Sequence, residues 1–138
     1  MDSSFLVRDV MTRDVVTLGP NDKLLVADDL MRLGRIRHLP VVDEAGALVG
    51  IVSQRDLFHS GLIKALGYGT HAQRQALDMV VVKEAMRSQV VTTELETPLR
   101  EAAKLMIDRK IGCLVVVDQR RIAGILTESD FVKLVANH

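Results

Sequence analysis

Aromatic residues are nearly missing from this chain, which has three Phe, one Tyr and no Trp in 138 residues. Its core must therefore be aliphatic, and a surface that stacks nucleic-acid bases on aromatic rings has little to build from. Cysteine occurs once, at Cys113, which excludes an internal disulfide and a cysteine-rich metal site. The plain reading of Cys113 is a small buried hydrophobe. An excess of either charge is missing too: 18 basic residues balance 18 acidic ones, leaving no electrostatic footprint for DNA or an anionic membrane. No apolar run approaches the ~18–20 residues of a membrane span. The opening "MDSSFLVRDVMTRDVVTLGP" is cut by charges too often for a signal peptide. His59, His71 and His138 have no neighbours at metal-ligand spacing, so no metal is expected. These absences point to a cytoplasmic protein with neither a DNA nor a membrane partner. What remains is 48% hydrophobic and 26% charged, enough for one ordinary domain or two small ones sharing a core.

What the chain does contain is a duplication. "VRDVM" (7–11) matches "VKEAM" (82–86) in residue class throughout, and carrying the same offset of 75 to Asp43/Asp118 gives 14 identities in 37 ungapped positions. Chance would give about two or three. One residue is then lost, and "GIVSQRDL" (50–57) returns as "GILTESDF" (124–131). Each copy reads strand–helix–strand–strand–helix. "VVTL" and "VVTT" are short β-branched strands. In the second copy Thr97 is expected as N-cap with Pro98 at the first helical position, followed by a stripe of Leu99, Ala102, Ala103 and Met106. In the first copy the stripe is Val26, Ala27, Leu30, Met31 and Leu33. "HLPVVD" and "CLVVVD" are apolar enough for strands buried on both faces. Turns follow at "DEAG" and at a glycine-free "DQRR", then the return strands "ALVGIVS" and "IAGILT", each leading into a helix. The units are set at 7–60 and 82–136, with a connector at 61–81 in which "GYGT" (67–70) marks a loop.

The repeated hydroxyl-x-x-aspartate phrase has two readings. Ser53-x-x-Asp56 and Thr127-x-x-Asp130 fit the capping box, in which the hydroxyl caps a helix and the acid reaches back to its amide. The same geometry suits a ligand. Unpaired amides at a helix N-terminus favour a phosphate; a carboxylate one turn in can accept two hydrogen bonds from a vicinal diol, and aliphatic strands can clamp a flat heterocycle.

The duplicated frame, with "RIRHLPVVD…GIVSQRDL" and "KIGCLVVVD…GILTESDF", closely resembles the cystathionine β-synthase (CBS) domain, over about Val7 to Lys133. Two such domains in tandem form what is called a Bateman module. The resemblance implies an α/β (α+β) fold whose units pack as a pseudo-twofold disc with two clefts for adenosine-containing ligands. It also implies a crossed arrangement. One cleft would join Thr127 and Asp130 to Thr12, Val15, Val16, Ile36, Arg37, His38 and Pro40. The other would join Ser53, Arg55 and Asp56 to Val90, Val91, Ile111, Gly112 and Cys113. In each the aspartate would hold the ribose, the Ser or Thr would sit near the phosphate, and the valine strand would read adenine through its backbone. The cleft with Arg37 and His38 is better furnished for phosphate than the one with Arg55 alone. The resemblance implies AMP, ADP or ATP as regulatory ligand, with S-adenosylmethionine or NAD behind them. It further implies a homodimer, a separate regulated protein and no catalysis. A scaffold with empty clefts is the alternative. A small hydrolase or transferase using His38 or Cys113 ranks last, because no nucleophile–base arrangement or phosphate-binding glycine loop is visible.

Overall fold

Apolar residues three and four apart share one face of a helix, and the equivalent triplets Leu24, Ala27, Met31 and Leu99, Ala102, Met106 are the buried stripes of two 11-residue helices. The structure, a computed structural model, describes residues 4–57 and 70–138. In chain order the elements are α1 (Val7–Val10), α2 (Leu24–Gly34), β1 (His38–Val42), β2 (Leu48–Ser53), α3 (Gln54–Leu57), α4 (Thr70–Leu77), a 3-10 turn (Val82–Glu84), β3 (Thr92–Glu94), α5 (Leu99–Arg109), β4 (Cys113–Asp118), β5 (Arg121–Thr127) and α6 (Glu128–Asn137). They form two compact units: Val16–Gln89, and Met1–Val15 with Val90–His138. The unit boundaries thus fall just after each repeat's opening segment. Each unit takes that opening segment from the other repeat.

The exchange is reciprocal in detail. In the discontinuous unit Val7 N donates to Thr97 O (2.9 Å), Arg8 N to Leu95 O (3.0 Å), and Leu99 N to Phe5 O (2.9 Å). In the continuous unit the equivalent bonds are Val82 N to Asp22 O (2.7 Å), Lys83 N to Pro20 O (2.9 Å) and Leu24 N to Val80 O (2.8 Å). Val7 and Met11 are buried in one aliphatic core with Leu99, Leu114 and Leu126. Val82 is buried in the other with Leu24, Leu39 and Val52, and Met86 packs against it. Each opening segment then adds a bridge to the free edge of the return strand: Thr12 pairs with Ile125 on β5, and Arg87 with Ile51 on β2. An unpaired strand edge invites wrong pairing; here the chain covers its own.

The hairpins match as well. β1 and β2 are antiparallel, as are β4 and β5, and both show a register shift at the same place, Val41/Val42 and Val116/Val117. The strands expected buried on both faces are so, with Leu39, Val41, Leu114, Val115 and Val116 fully covered.

Four details differ from expectation. The first strand of the second copy forms as β3, parallel to β4, but its counterpart shrinks to a single bridge between Leu18 and Val41. There Gly19-Pro20 follows, and proline has no N–H to continue a ladder. Pro98 rather than Thr97 takes the N-cap position of α5, with ψ at 134°. The Leu99 amide is already bound to Phe5 O, and Thr97 Oγ1 instead accepts the Glu94 amide at 3.3 Å. Val26 and Leu33 lie off the buried stripe of α2, Leu33 being 85% exposed, while Leu24 joins the stripe. The "GYG" of the expected connector loop lies outside the described residues, and Thr70 already begins α4.

Candidate functional site

A helix that starts directly from a strand leaves its first amides without partners, and both repeated phrases solve this locally. Thr127 N donates to Asp130 Oδ2 (2.9 Å) at the start of α6. Ser53 N donates to Asp56 Oδ2 (2.8 Å), and Asp56 N to Ser53 Oγ (3.2 Å), at the start of α3. Both acids are therefore capping-box residues, folded back onto their own helix ends. Thr127 Oγ1 lies 2.9 Å from Ser129 Oγ.

Capping uses one oxygen of each carboxylate, and the second oxygen is where the copies part. Asp130 Oδ1 accepts from Thr12 Oγ1 at 2.9 Å. Asp56 Oδ1 accepts from Arg87 Nε at 3.2 Å, an ion pair. Thr12 and Arg87 are equivalent residues at the offset of 75, each delivered by the exchanged opening segment. Both acids are buried, Asp130 at 4% exposure and Asp56 at 8%. Buried carboxylates need their lone pairs filled, and each is filled by the residue its own repeat lacks.

The geometry shared by the two copies explains the glycine that heads each phrase. A Cβ on Gly124 would stand 2.6 Å from Met11 Sδ and 2.8 Å from Thr12 O; one on Gly50 would stand 2.5 Å from Met86 Sδ and 3.0 Å from Arg87 O. Only a residue without a side chain lets the opening segment come this close.

Of the first expected set, Thr12, Val15, Thr127 and Asp130 belong to the discontinuous unit, where Thr12 and Asp130 are in contact. Val16, Ile36, Arg37, His38 and Pro40 belong to the continuous unit; Arg37 is exposed and His38 half-buried at the head of β1. Of the second set, Ser53, Arg55 and Asp56 belong to the continuous unit and Val90, Val91, Ile111, Gly112 and Cys113 to the discontinuous one. Arg55 is exposed on α3. Cys113 opens β4 opposite Thr127, buried, its thiol pushed up to about 12 by burial first and by the Asp130 charge second. It is a neutral thiol at physiological pH, the opposite of an activated nucleophile. Arg87 was not among the residues expected from the sequence. Extending the "VRDVM"/"VKEAM" match by one position, to Thr12 against Arg87, is the signal that finds it. Among the described residues no group of His, Cys, Asp and Glu could hold a metal ion, and no helix is long and apolar enough to cross a membrane.

Comparison with known proteins gives the frame a family. The protein MJ1225 of Methanocaldococcus jannaschii is 37% identical over 99% of this chain, which spans 49% of that relative's length. Across other relatives the span ranges from 22% to 90%. The CBS domain pair of protein MJ0100, crystallised in complex with 5′-methylthioadenosine and S-adenosyl-L-methionine, is 29% identical with a TM-score of 0.76, covering 96% of each chain. The crystal structure of CBSX2 in complex with AMP is 28% identical with a TM-score of 0.76, covering 96% of this chain and 97% of the other. The family model for the CBS domain matches twice, at residues 7–62 and 82–137. The chain belongs to the CBS-domain family, as a tandem pair.

Proposed function

We propose that this chain is a regulatory module that binds an adenosine-containing ligand and performs no chemistry of its own. The observation that carries the reading is the second oxygen of Asp130. It is buried and oriented by the cap, yet among the described residues it is held only by the neutral hydroxyl of the exposed Thr12. A ribose hydroxyl can take that place by exchanging one neutral donor for another. In the finer proposal the ribose sits on Asp130, the phosphate beside Thr127, and adenine along the backbone of Val15. AMP, ADP and ATP are the leading ligands, because CBSX2 was crystallised with AMP; the MJ0100 pair supports S-adenosylmethionine as runner-up. Arg37 and His38 are proposed as phosphate partners, so Arg37→Ala should weaken AMP while leaving adenosine unchanged. The second expected set, around Ser53, Arg55 and Asp56, is the equivalent corner of the other repeat, where Arg87 holds the second oxygen of the acid.

A ligand that prefers one arrangement of the pair shifts its population, and the output then passes to a regulated partner protein. A homodimer is part of the proposal: Val132 and Val135, three apart on α6, are 68% and 62% exposed and offer an apolar face for a second copy.

Thermal unfolding of the full chain with AMP, ATP and S-adenosylmethionine tests the reading. At one hundred times its dissociation constant a ligand adds about 2.7 kcal/mol of stability. One of these compounds should raise the melting temperature, and Asp130→Ala should remove the rise while the protein stays folded. No rise with any of them would favour the dimeric scaffold.

A further inference from the structure

Thr12 and Arg87 leave the backbone from equivalent places. Thr12 N donates to Ile125 O (2.9 Å) and Ile125 N to Thr12 O (2.9 Å); Arg87 N donates to Ile51 O (2.9 Å) and Ile51 N to Arg87 O (3.0 Å). Each side chain then meets the free oxygen of its capping acid, at 2.9 Å and 3.2 Å. The framework is shared, so what meets the free oxygen of each acid differs by the chemistry of one residue.

We infer that Arg87 closes the Asp56 corner, so that the chain takes one adenosine-type ligand, at Asp130, rather than one in each repeat. The inference rests on the nucleotide reading above. A threonine hydroxyl turns freely and carries no charge, so a ribose hydroxyl replaces it like for like. The guanidinium holds Asp56 by a charge-assisted bond, about twice as strong as a neutral one. A diol arriving there must expel the cation and leave a buried carboxylate, 8% exposed, facing neutral donors only. The Arg87 side chain is 64% exposed, so water screens part of the pair. What closes the corner is the loss of a cation from a buried acid, a cost Asp130 never meets. Arg87 is thus a specificity-determining residue, which makes a symmetric duplication bind asymmetrically.

Isothermal titration of the full chain, with AMP, ATP and S-adenosylmethionine as probes, decides it. The unaltered chain should take one equivalent, weakened at least about thirtyfold by Asp130→Ala. Arg87→Thr copies the first corner into the second and should add a second equivalent, which Asp56→Ala then removes. Arg87→Ala should also add it, and serves if the threonine variant misfolds. Thr12→Arg copies the second corner into the first and should weaken the original site at least about tenfold. Two equivalents on the unaltered chain, or one on both Arg87 variants, overturn the inference and leave the nucleotide reading standing. No binding of any probe to the unaltered chain or the variants overturns the nucleotide reading itself.

Discussion

The Asp130 corner and the Asp56 corner are built on the same strand, the same cap and the same incoming segment, but one acid is tied off by Thr12 and the other by Arg87. After duplication, positions that carry packing have stayed matched, as Leu39/Leu114, Met11/Met86 and Gly50/Gly124 show. Positions beside the repeated phrase have drifted: Thr12 against Arg87, each bonded to its acid, and His38 against Cys113, each paired with the residue that opens the phrase. Core residues touch many neighbours, and a change in volume is felt by all of them. A residue that only supplies a hydrogen bond can change charge at small structural cost, and that freedom lets two copies of one fold take different jobs.

If the cores are equivalent, their damage must be too. Leu39 and Leu114 are both fully buried, one in each aliphatic cluster. Leu39→Ala and Leu114→Ala should each cost about 2–5 kcal/mol and agree with each other within about 1 kcal/mol. Urea unfolding followed by circular dichroism measures both. A difference well beyond that would mean that the repeats have diverged in packing as well as at the acids.

The glycines sharpen the comparison. At Gly124 the obstacle to a Cβ includes the Thr12 carbonyl at 2.8 Å, which is backbone; at Gly50 the closest atom is Met86 Sδ at 2.5 Å, and the Arg87 carbonyl is further off at 3.0 Å. A methionine end can swing away, whereas a paired strand cannot. Gly124→Ala should therefore destabilise by about 1–3 kcal/mol, and Gly50→Ala by about 1 kcal/mol less. The reverse order would show that the opening segment is held more loosely on β5 than on β2.

Much of this is legible in the sequence. The duplication, the hairpin strands and the helical triplets follow from periodicity and identity, because burial imposes them on residue type. The capping boxes were legible as well, since Ser53/Asp56 and Thr127/Asp130 carry the pattern in their letters. The exchange of opening segments was not, because "VRDVM" and "VKEAM" show that they are equivalent but not which repeat each one serves. The role of Arg87 was hidden for the same reason. Its partner lies 31 residues away, and no local pattern links them. The weak first strand could have been anticipated from Gly19-Pro20, which stand where the second copy has Glu94 and Leu95.

Cys113 gives the comparison a pH axis, since its counterpart His38 has no thiol. The folded thiol is held at about 12, against 9.0 for an unperturbed one. Below pH 9 the folded and unfolded chains both keep this proton, and the full contribution to stability is present. Between pH 9 and about 12 the unfolded chain releases it while the folded chain retains it, so stability falls, by at most about 1.4 kcal/mol per pH unit. Other groups titrate in the same range, so the informative quantity is the difference between the unaltered chain and Cys113→Ala. The variant should lose less stability over this window. Equal slopes would mean that the thiol is less enclosed than its place beside Thr127 and Asp130 implies.

The smallest effect isolates backbone from side chain. The second hairpin turns on Gln119 and Arg120, with φ of 50° and 69°, between the paired residues Asp118 and Arg121. Two consecutive positive φ values define the tight hairpin turn that Asn-Gly adopts most readily. The first hairpin turns where Asp43 Oδ1 accepts the amides of Ala45 and Ala47, with Gly46 at φ 84°. A Cβ on Gly46 would meet nothing within 4 Å, so replacing it tests conformation alone. Gly46→Ala should cost about 1 kcal/mol, and the pair Gln119→Asn with Arg120→Gly should gain about 0.5–1 kcal/mol. Shifts of opposite sign in the urea midpoint, at constant slope, would assign both effects to the left-handed backbone. If the second turn gained nothing, Gln119 and Arg120 would have to be making side-chain contacts that offset their strain, and the second hairpin would owe its shape to those contacts rather than to its strands.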